Sequence, residues 1–493
     1  MISSLAERSI NTFNTGVEAS KLKLMNLSLC NQLVIMAAQQ QKRNIVIVGG
    51  GIIGCTTAYF LTRHPKFDPA QHTITLLEAS SIAAGASGKA GGLLALWAYP
   101  ECLVPLSYRL HRELADEHNG AERWGYRQVG CGSIGAVVKN ADLKARGQGT
   151  SASTTSDLKE PNDTTAAAPN AHLPIQAEDE KTSKDWEKLP KQDVAATSLL
   201  SKSVLPPDLD WVDGSLVRSW DVMGRRGETE TAQAHPFHFT NAMADLAAAK
   251  GVDIRLGAKV TNITSSSSAP NGRVDTVEYQ DRNNNDEINS ITGVTDVIVT
   301  AGPWTGNILP RSKIEGLRAH SVVYEAEVSP YAVFTDIELP SDWTPEHRRV
   351  KGQKRKHRGH VDPEIYARPF GEVYACGEPD KTIPLPETAD QVQCDEDQCN
   401  DLISYIATVS PILASAPVRA KQACYLPQHV RFGEERGPLI GQTSTPGLWI
   451  AAGHTCWGIQ NGPATGLLMS ELIFDGQTKS ADIDKLDPKK FKV

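Results

Sequence analysis

Three glycines, Gly49, Gly51 and Gly54, stand at G-x-G-x-x-G spacing in Gly49-Gly50-Gly51-Ile52-Ile53-Gly54. That spacing can hold a nucleotide diphosphate without a charged side chain. The first glycine permits a tight turn, the second lets a pyrophosphate reach the backbone, and the third lets a helix pack close to a strand. The helix that opens there points unpaired N–H groups and a partial positive charge at the phosphates. Glu78 follows where a carboxylate can accept hydrogen bonds from both hydroxyls of a ribose. The same carboxylate would repel a 2′-phosphate, so an NADP-type ligand is disfavoured.

A motif of this kind needs a strand before it and a strand after it. Asn44-Ile45-Val46-Ile47-Val48 is a continuous β-branched run, as in a strand buried on both faces. Residues 55–61 read as a helix and 73–77 as a second strand, the βαβ order of a parallel sheet. Further on, Phe239, Met243, Leu246 and Ala247 fall at helical spacing, with Gly251 as the stop. Residues 252–256 and 259–263 read as strands. Residues 140–207 are rich in Ser, Thr, Ala, Pro, Asp and Lys, and poor in aromatics. Such a stretch cannot bury enough apolar area to offset its chain entropy, so a disordered insertion is expected there. Smaller polar insertions are expected at 265–272 and 283–289. The basic run 348–358 reads as a solvated loop rather than a targeting signal.

With 493 residues the chain has room for two or three domains. A hydrophobic share of 40% and a net charge of -8 suit a globular protein and argue against nucleic acid or an anionic membrane as partner. No apolar run is long and clean enough to span a bilayer. The nine cysteines are scattered without a Cys-x-x-Cys pair, which argues against a disulfide framework and a metal site and for a reducing, cytoplasmic setting. Residues 1–42 read as a disordered extension, with Met36 an alternative to Met1 as the start. Residues 477–493 read as a tail without a peroxisomal ending.

The residues after Glu78 decide between NAD and FAD. Ala83-Ala84-Gly85-Ala86-Ser87-Gly88-Lys89-Ala90-Gly91-Gly92-Leu93 is a small-residue loop through which backbone can approach a large flat ligand, where an NAD domain would continue with an ordinary helix. Two later segments, Thr300-Ala301-Gly302-Pro303-Trp304 and Ile450-Ala451-Ala452-Gly453-His454, are strands running into glycine. Cys456-Trp457-Gly458-Ile459-Gln460-Asn461-Gly462-Pro463 then leads into an amphipathic helix, with Pro463 suited to its first turn. In this order the blocks resemble the D-amino-acid oxidase family, which includes glycine oxidase and sarcosine oxidase. The chain also resembles fungal oxidoreductases of this group, some associated with endosome-to-Golgi retrieval.

The resemblance implies an α/β architecture: a discontinuous, Rossmann-like FAD-binding domain plus a substrate domain on a mainly antiparallel sheet. Residues 43–110, 235–310 and 438–476 would form the first; residues 111–139, 208–234 and 311–437 the second. The implied FAD contacts are Gly49, Gly51, Ile52, Ile53, Gly54, Glu78, Ala79, Ser80, Ser87, Gly88, Ala90, Gly91, Gly92, Leu93, Val260, Ala301, Gly302, Trp304, Gly453, His454, Gly458, Ile459 and Asn461. The implied chemistry is oxidation of the C–N bond of a small amine or amino acid by hydride transfer to flavin N5. The cofactor carries that step and the protein orients and polarises.

An amino-acid substrate needs a cation for its carboxylate. Where glycine oxidase and its relatives carry Arg-Pro, this chain has Leu426-Pro427, preceded by Cys424-Tyr425. Arg368, in Tyr366-Ala367-Arg368-Pro369-Phe370, is the substitute the sequence offers; its alternative is an ion pair. His454 is the second catalytic candidate, as an acid–base group or a polar contact to flavin or substrate. Cys424 stands near where sarcosine oxidases attach FAD, with a buried inert thiol as its alternative. The missing arginine also keeps open a different function, a flavin-binding protein that regulates late endosome-to-Golgi trafficking with weak or no catalysis. Peripheral association with late endosomes belongs to that reading.

Overall fold

The computed structural model describes residues 42–145, 204–224, 230–266 and 272–493. The expected extension therefore falls outside the described residues except for Lys42, as does the low-complexity stretch 146–203.

Arg43–Val48 lies inside a six-stranded sheet. From one edge to the other the strands are Leu439–Gln442, Leu448–Ala452, Asp296–Val299, Arg43–Val48, His72–Glu78 and Asp253–Leu256. Every neighbouring pair is parallel except the first. The β-branched run is explained by burial on both faces. Ile45 and Ile47 enter a core with Leu61, Met243, Leu468 and Met469, while Val46 and Val48 enter another with Val277, Val297 and Val299. The second core is closed by an antiparallel three-stranded sheet of Ala258–Ser265, Val274–Asp281 and Glu287–Ile291. Residues 283–289 are thus mostly a hairpin turn rather than a loose insertion, with Asn285 and Asp286 at positive φ.

Two helices pack on the first core, Ile52–Leu61 and Gly458–Asp475. They approach closely because two glycines face the first helix. A Cβ on Gly466 would lie 2.6 Å from the Thr56 backbone, and one on Gly462 would lie 2.7 Å from the Ile52 side chain. Thr56 Oγ1 also donates to the Gly462 carbonyl at 2.8 Å. This contact sets the two helix N-termini side by side. Pro463 sits inside the second helix, not in its first turn. It cannot donate to the Ile459 carbonyl. Buried His111 fills that gap, its Nε2 2.9 Å from Ile459 O. Burial lowers the His111 pKa to about 4, against the pull of those carbonyls, so the ring is neutral and the donor is Nε2–H.

The second large sheet runs Glu434–Arg436, Val418–Arg431, Ile314–Glu325, Glu372–Cys376, Glu364–Arg368, Tyr331–Glu338, Gly130–Val137 and Val217–Val222, with His360–Val361 alongside. All pairs are antiparallel except Tyr331–Glu338 with Gly130–Val137.

Several expected boundaries shift. Helix Val104–His118 crosses residue 110 and buries Leu110, Leu114 and Ala115 in the nucleotide-side core, as Gly120–Trp124 does Trp124. Thr231–Gln233 pairs with Leu93–Ala95, and Ala232 and Ala234 join the same core. The low-complexity segment is ordered at both margins: Asn140–Ala145 is a helix, and Leu143 and Leu205 are buried because each finds an apolar cluster. Residues 477–493 pack rather than trail: Ile483, Leu486 and Val493 are buried against the nucleotide sheet and its helices. In the basic run, Arg348 is buried in a bidentate pair with Asp401 at 2.5 Å. Among the described residues, no helix is long and apolar enough to cross a membrane.

Candidate functional site

One cavity of about 470 Å³ joins the two sheets. Gly49, Gly51, Ile52, Ile53, Glu78 and Ala79 line one end, and Thr455, Cys456, Trp457, Gly458 and Ile459 the other. The two ends of the expected dinucleotide site therefore belong to a single continuous space.

At the nucleotide end the backbone sets the shape. Gly49 has φ +112°, and a Cβ there would meet the Thr300 carbonyl at 2.6 Å. A Cβ on Gly54 would stand 2.0 Å from the Gly49 carbonyl oxygen. Gly54 therefore acts behind the wall, as a spacer, and does not itself line the cavity. Gly51 precedes helix Ile52–Leu61 with no side-chain cap, so the first-turn N–H groups face outward. One of them, Ile52 N–H, donates to Ser87 Oγ at 2.9 Å. The Glu78 carboxylate accepts from Gly50 N at 2.7 Å and from Ser80 N at 2.8 Å, which holds it at the end of its strand. Ser80 thus braces Glu78 and is not part of the wall.

The middle of the cavity is formed by the small-residue loop. Ser87, Ala90, Gly91, Gly92 and Leu93 line it, with Val260, Ala301, Gly302 and Trp304 opposite. Gly91 is obligatory, because a Cβ would lie 2.0 Å from the Tyr366 ring. Gly88 is another spacer, with a Cβ only 2.3 Å from the Ala83 carbonyl, and does not face the cavity. Trp304 is fixed by its ring N–H, which donates to Pro386 O at 2.6 Å.

Helix Gly458–Asp475 aims its uncapped N-terminus at the cavity through Gly458 and Ile459. Asn461 does not reach it: its Nδ2 donates to the Tyr99 carbonyl at 2.9 Å. Gly453 and His454 form the turn before that helix, and both line the wall. Burial lowers the His454 pKa to about 3 and its Nε2 meets Thr465 Oγ1 at 3.0 Å. The ring is neutral at pH 7, which fits a polar contact and not a proton-exchanging group. Its Nδ1 has no partner among the described residues.

Side chains make the other end, and the register of the second sheet decides which. Glu364 pairs with Cys376, Tyr366 with Tyr374 and Arg368 with Glu372 across two strands, all on one face. The first two pairs line the cavity; the third does not. Arg368 is buried, donates to Glu372 and to the Ala90 carbonyl at 3.1 Å, and touches His235 at 3.2 Å. Arg419 joins Glu372 from the other side at 2.6 Å. Burial opposes ionisation of Glu372, but His235 and Arg368 outweigh it and hold the carboxyl at about 2. Arg368 is thus a structural ion-pair partner, committed to Glu372 and not to a substrate.

Sequence reasoning missed Glu364, although it lies two positions before Tyr366 on the same strand face. Burial pushes its carboxyl above the usual range, against hydrogen bonds from Tyr366 and Cys376. Its partly accessible surface lies on the cavity wall. Aromatic rings continue that wall: Tyr374 stacks on Tyr366, Phe334 meets Tyr366 edge-on, and Trp97 bridges Phe334 and Trp457. Cys424 and Leu426 also face inward from strand Val418–Arg431. Burial raises the Cys424 thiol to about 11, against the pull of Lys89, so it stays protonated at neutral pH.

A diphosphate fits the glycine cradle at one end, and a flat ring system fits the space between the small-residue loop and the Gly458 helix end. The comparisons with known proteins agree. Residues 44–472 match the family model described as FAD dependent oxidoreductase. The chain is 35% identical to "Putative oxidoreductase TDA3" of Saccharomyces cerevisiae, over 89% of this chain and 93% of that one. It is 32% identical to a similarly named oxidoreductase of Schizosaccharomyces pombe, over 89% of this chain and 96% of that one. Glycine oxidase from Bacillus cereus has the same fold, with a TM-score of 0.54 at 18% identity over 88% of this chain and 96% of that one. The chain belongs to the FAD-dependent oxidoreductase family typified by D-amino-acid oxidase, and FAD is its cofactor.

Proposed function

We propose that the protein oxidises the C–N bond of a small amine or amino acid. The observation that carries this reading is the continuity of the cavity from the Gly51–Glu78 cradle to a walled chamber at the Gly458 helix end. Bound FAD supplies the hydride acceptor. The chain's own groups do the rest. With Ile52 N–H already donating to Ser87 Oγ, the remaining first-turn N–H groups of the helix would hold the diphosphate, and Glu78 would hold the ribose. The positive end of helix Gly458–Asp475 favours negative charge on the pyrimidine side of the ring system. The aromatic wall of Trp97, Phe334, Tyr366 and Tyr374 excludes water and limits substrate size. Anaerobic mixing of the holoprotein with amines, N-methyl amino acids and D-amino acids tests the reading. Loss of the flavin band near ~450 nm with any of them supports it, and an unchanged spectrum with all of them rejects it.

A regulatory flavin-binding role in late endosome-to-Golgi trafficking is the second reading. The sequestration of Arg368 favours it, since among the described residues no arginine is left on the cavity wall for an amino-acid carboxylate. Normal cargo retrieval in cells carrying a flavin-free variant would reject it.

A further inference from the structure

We infer that the substrate chamber is built for an alkyl or aryl ammonium without an α-carboxylate, and that Glu364 is its anchor. The inference rests on the C–N oxidation reading and narrows it to one substrate class.

Charge on the wall carries the argument. Among the described residues the lining cations are Lys89 and Lys259. Lys259 is paired with Glu387 at 2.6 Å at the nucleotide end. Lys89 donates to the Ala423 carbonyl at 3.0 Å. Among the described residues no arginine lines the cavity, and the position before Pro427 is Leu426. His454 is neutral and cannot supply a positive charge. Glu364, by contrast, has among the described residues only the neutral Tyr366 and Cys376 as hydrogen-bond partners. A carboxylate withdrawn from water without a cation is costly, and a cationic ligand removes that cost. A ligand carboxylate placed there would meet like charge instead.

The aromatic rings support the same assignment. Tyr366, Tyr374, Phe334, Trp97 and Trp457 form a connected wall, with successive ring centroids 5.6–6.1 Å apart. Their π faces attract an ammonium, and their edges pack an alkyl or aryl tail. The buried ring N–H of Trp97 has no partner among the described residues, but it is a neutral donor and cannot balance Glu364. Glu364 can also take one ammonium proton: the N–H bond breaks, an O–H bond forms on the carboxyl, and the amine is left neutral for oxidation. A carboxyl raised by burial is better matched to that transfer than an ordinary one.

Calorimetric titration of the FAD-loaded protein with benzylamine, n-butylamine, glycine and benzoate at pH 8 tests this. Both amines are expected to bind, glycine and benzoate to bind at least ~10-fold more weakly, and E364Q to weaken the amines by ~10-fold or more. FAD content and melting temperature of E364Q verify that the variant folds. Equal amine affinity in E364Q overturns the inference. So does tighter binding of glycine or benzoate, most directly if K89M then abolishes it, because Lys89 would be the anchor. The flavin band is read in parallel. Bleaching by an amino acid without amine binding keeps C–N oxidation and overturns the ammonium assignment. Amine binding that depends on Glu364, with no bleaching by any substrate, keeps the assignment and overturns C–N oxidation.

Discussion

The two ends of the cavity are built on opposite principles. The nucleotide end is made of backbone: glycines at 49, 51, 91 and 92, a helix terminus, and one braced carboxylate. The opposite end, the proposed substrate chamber, is made of side chains that alternate along an antiparallel sheet, where Glu364, Tyr366, Tyr374 and Cys376 share a face. Backbone recognition forbids a Cβ at fixed positions, so it constrains residue type. Side-chain recognition constrains only register, and many residue types satisfy it.

The sharpest way to break the comparison is to add a side chain where the backbone end forbids one. Gly54→Val places a Cβ within 2.0 Å of the Gly49 carbonyl oxygen, a backbone atom that cannot move aside. The turn and helix must separate, and the cradle opens. The expected outcome is a protein that keeps less than about 1% of its FAD affinity, a loss of some 3 kcal/mol or more. The visible absorbance per mole of purified protein reads this directly. Full flavin content in the variant would show that the glycine spacing is incidental.

The same contrast explains what could be read from the sequence. The strand 44–48, the glycine fingerprint, Glu78 and the small-residue loop were legible because each leaves a fixed residue type at a fixed spacing, and the structure brings them to one cavity. Gly54, Gly88 and Ser80 support that cavity from behind, a distinction the spacing does not encode. Arg368 stood out and Glu364 was missed for a physical reason. Both lie on one face of strand Glu364–Arg368, and the strand does not say which end faces the chamber. Arg368 is paired only because strand Glu372–Cys376 delivers Glu372 opposite it. The role of His111 was hidden too, since it depends on the Ile459 carbonyl that Pro463 leaves unpaired, 348 residues away in the chain. The ordered C-terminal residues resembled a tail because Ile483, Leu486 and Val493 are too widely spaced to show a period.

On the same strand pair but behind the wall, Arg368→Met separates structure from recognition. Removing one partner from a buried ion pair leaves charge uncompensated, at a cost of about 3 kcal/mol. Arg419 and His235 remain on Glu372 and temper the loss. The sign with pH follows from the depressed carboxyl. Its stabilisation is present above the unfolded carboxylate range near ~4.3 and is lost as pH falls toward about 2. Denaturant unfolding at pH 7 and pH 3 should therefore show a large destabilisation at the higher pH and a smaller one at the lower. A selective loss of carboxylate-bearing ligands with unchanged stability would instead restore Arg368 as a binding group.

Glu78→Ala is a milder challenge to the backbone end. It removes the carboxylate proposed to accept from the ribose and releases Gly50 N–H and the Ser80 brace. Hydrogen bonds to a charged group contribute about 2 kcal/mol, so FAD should bind roughly 30-fold more weakly while the fold survives. Flavin fluorescence quenching on titration into apoprotein measures the change. An unaltered affinity would mean that the phosphates alone hold the nucleotide.

The smallest effect belongs to Glu364 in the ligand-free protein. A carboxyl raised by burial favours folding only while it keeps its proton. As pH climbs from the unfolded carboxylate range toward the raised folded one, the unfolded chain loses its proton while Glu364 in the chamber keeps its own, so stability falls, and the loss then levels off. Glu364→Gln keeps an oxygen that can accept from Tyr366 but has no charge to bury. Its melting temperature should equal that of the parent at pH 4 and exceed it by about 2 °C at pH 8. An ammonium ligand should reverse the order at pH 8, because it supplies the missing cation to the parent protein alone. A variant less stable than the parent at pH 8 without ligand would mean that a cation already compensates Glu364, and the chamber would lose its charge preference.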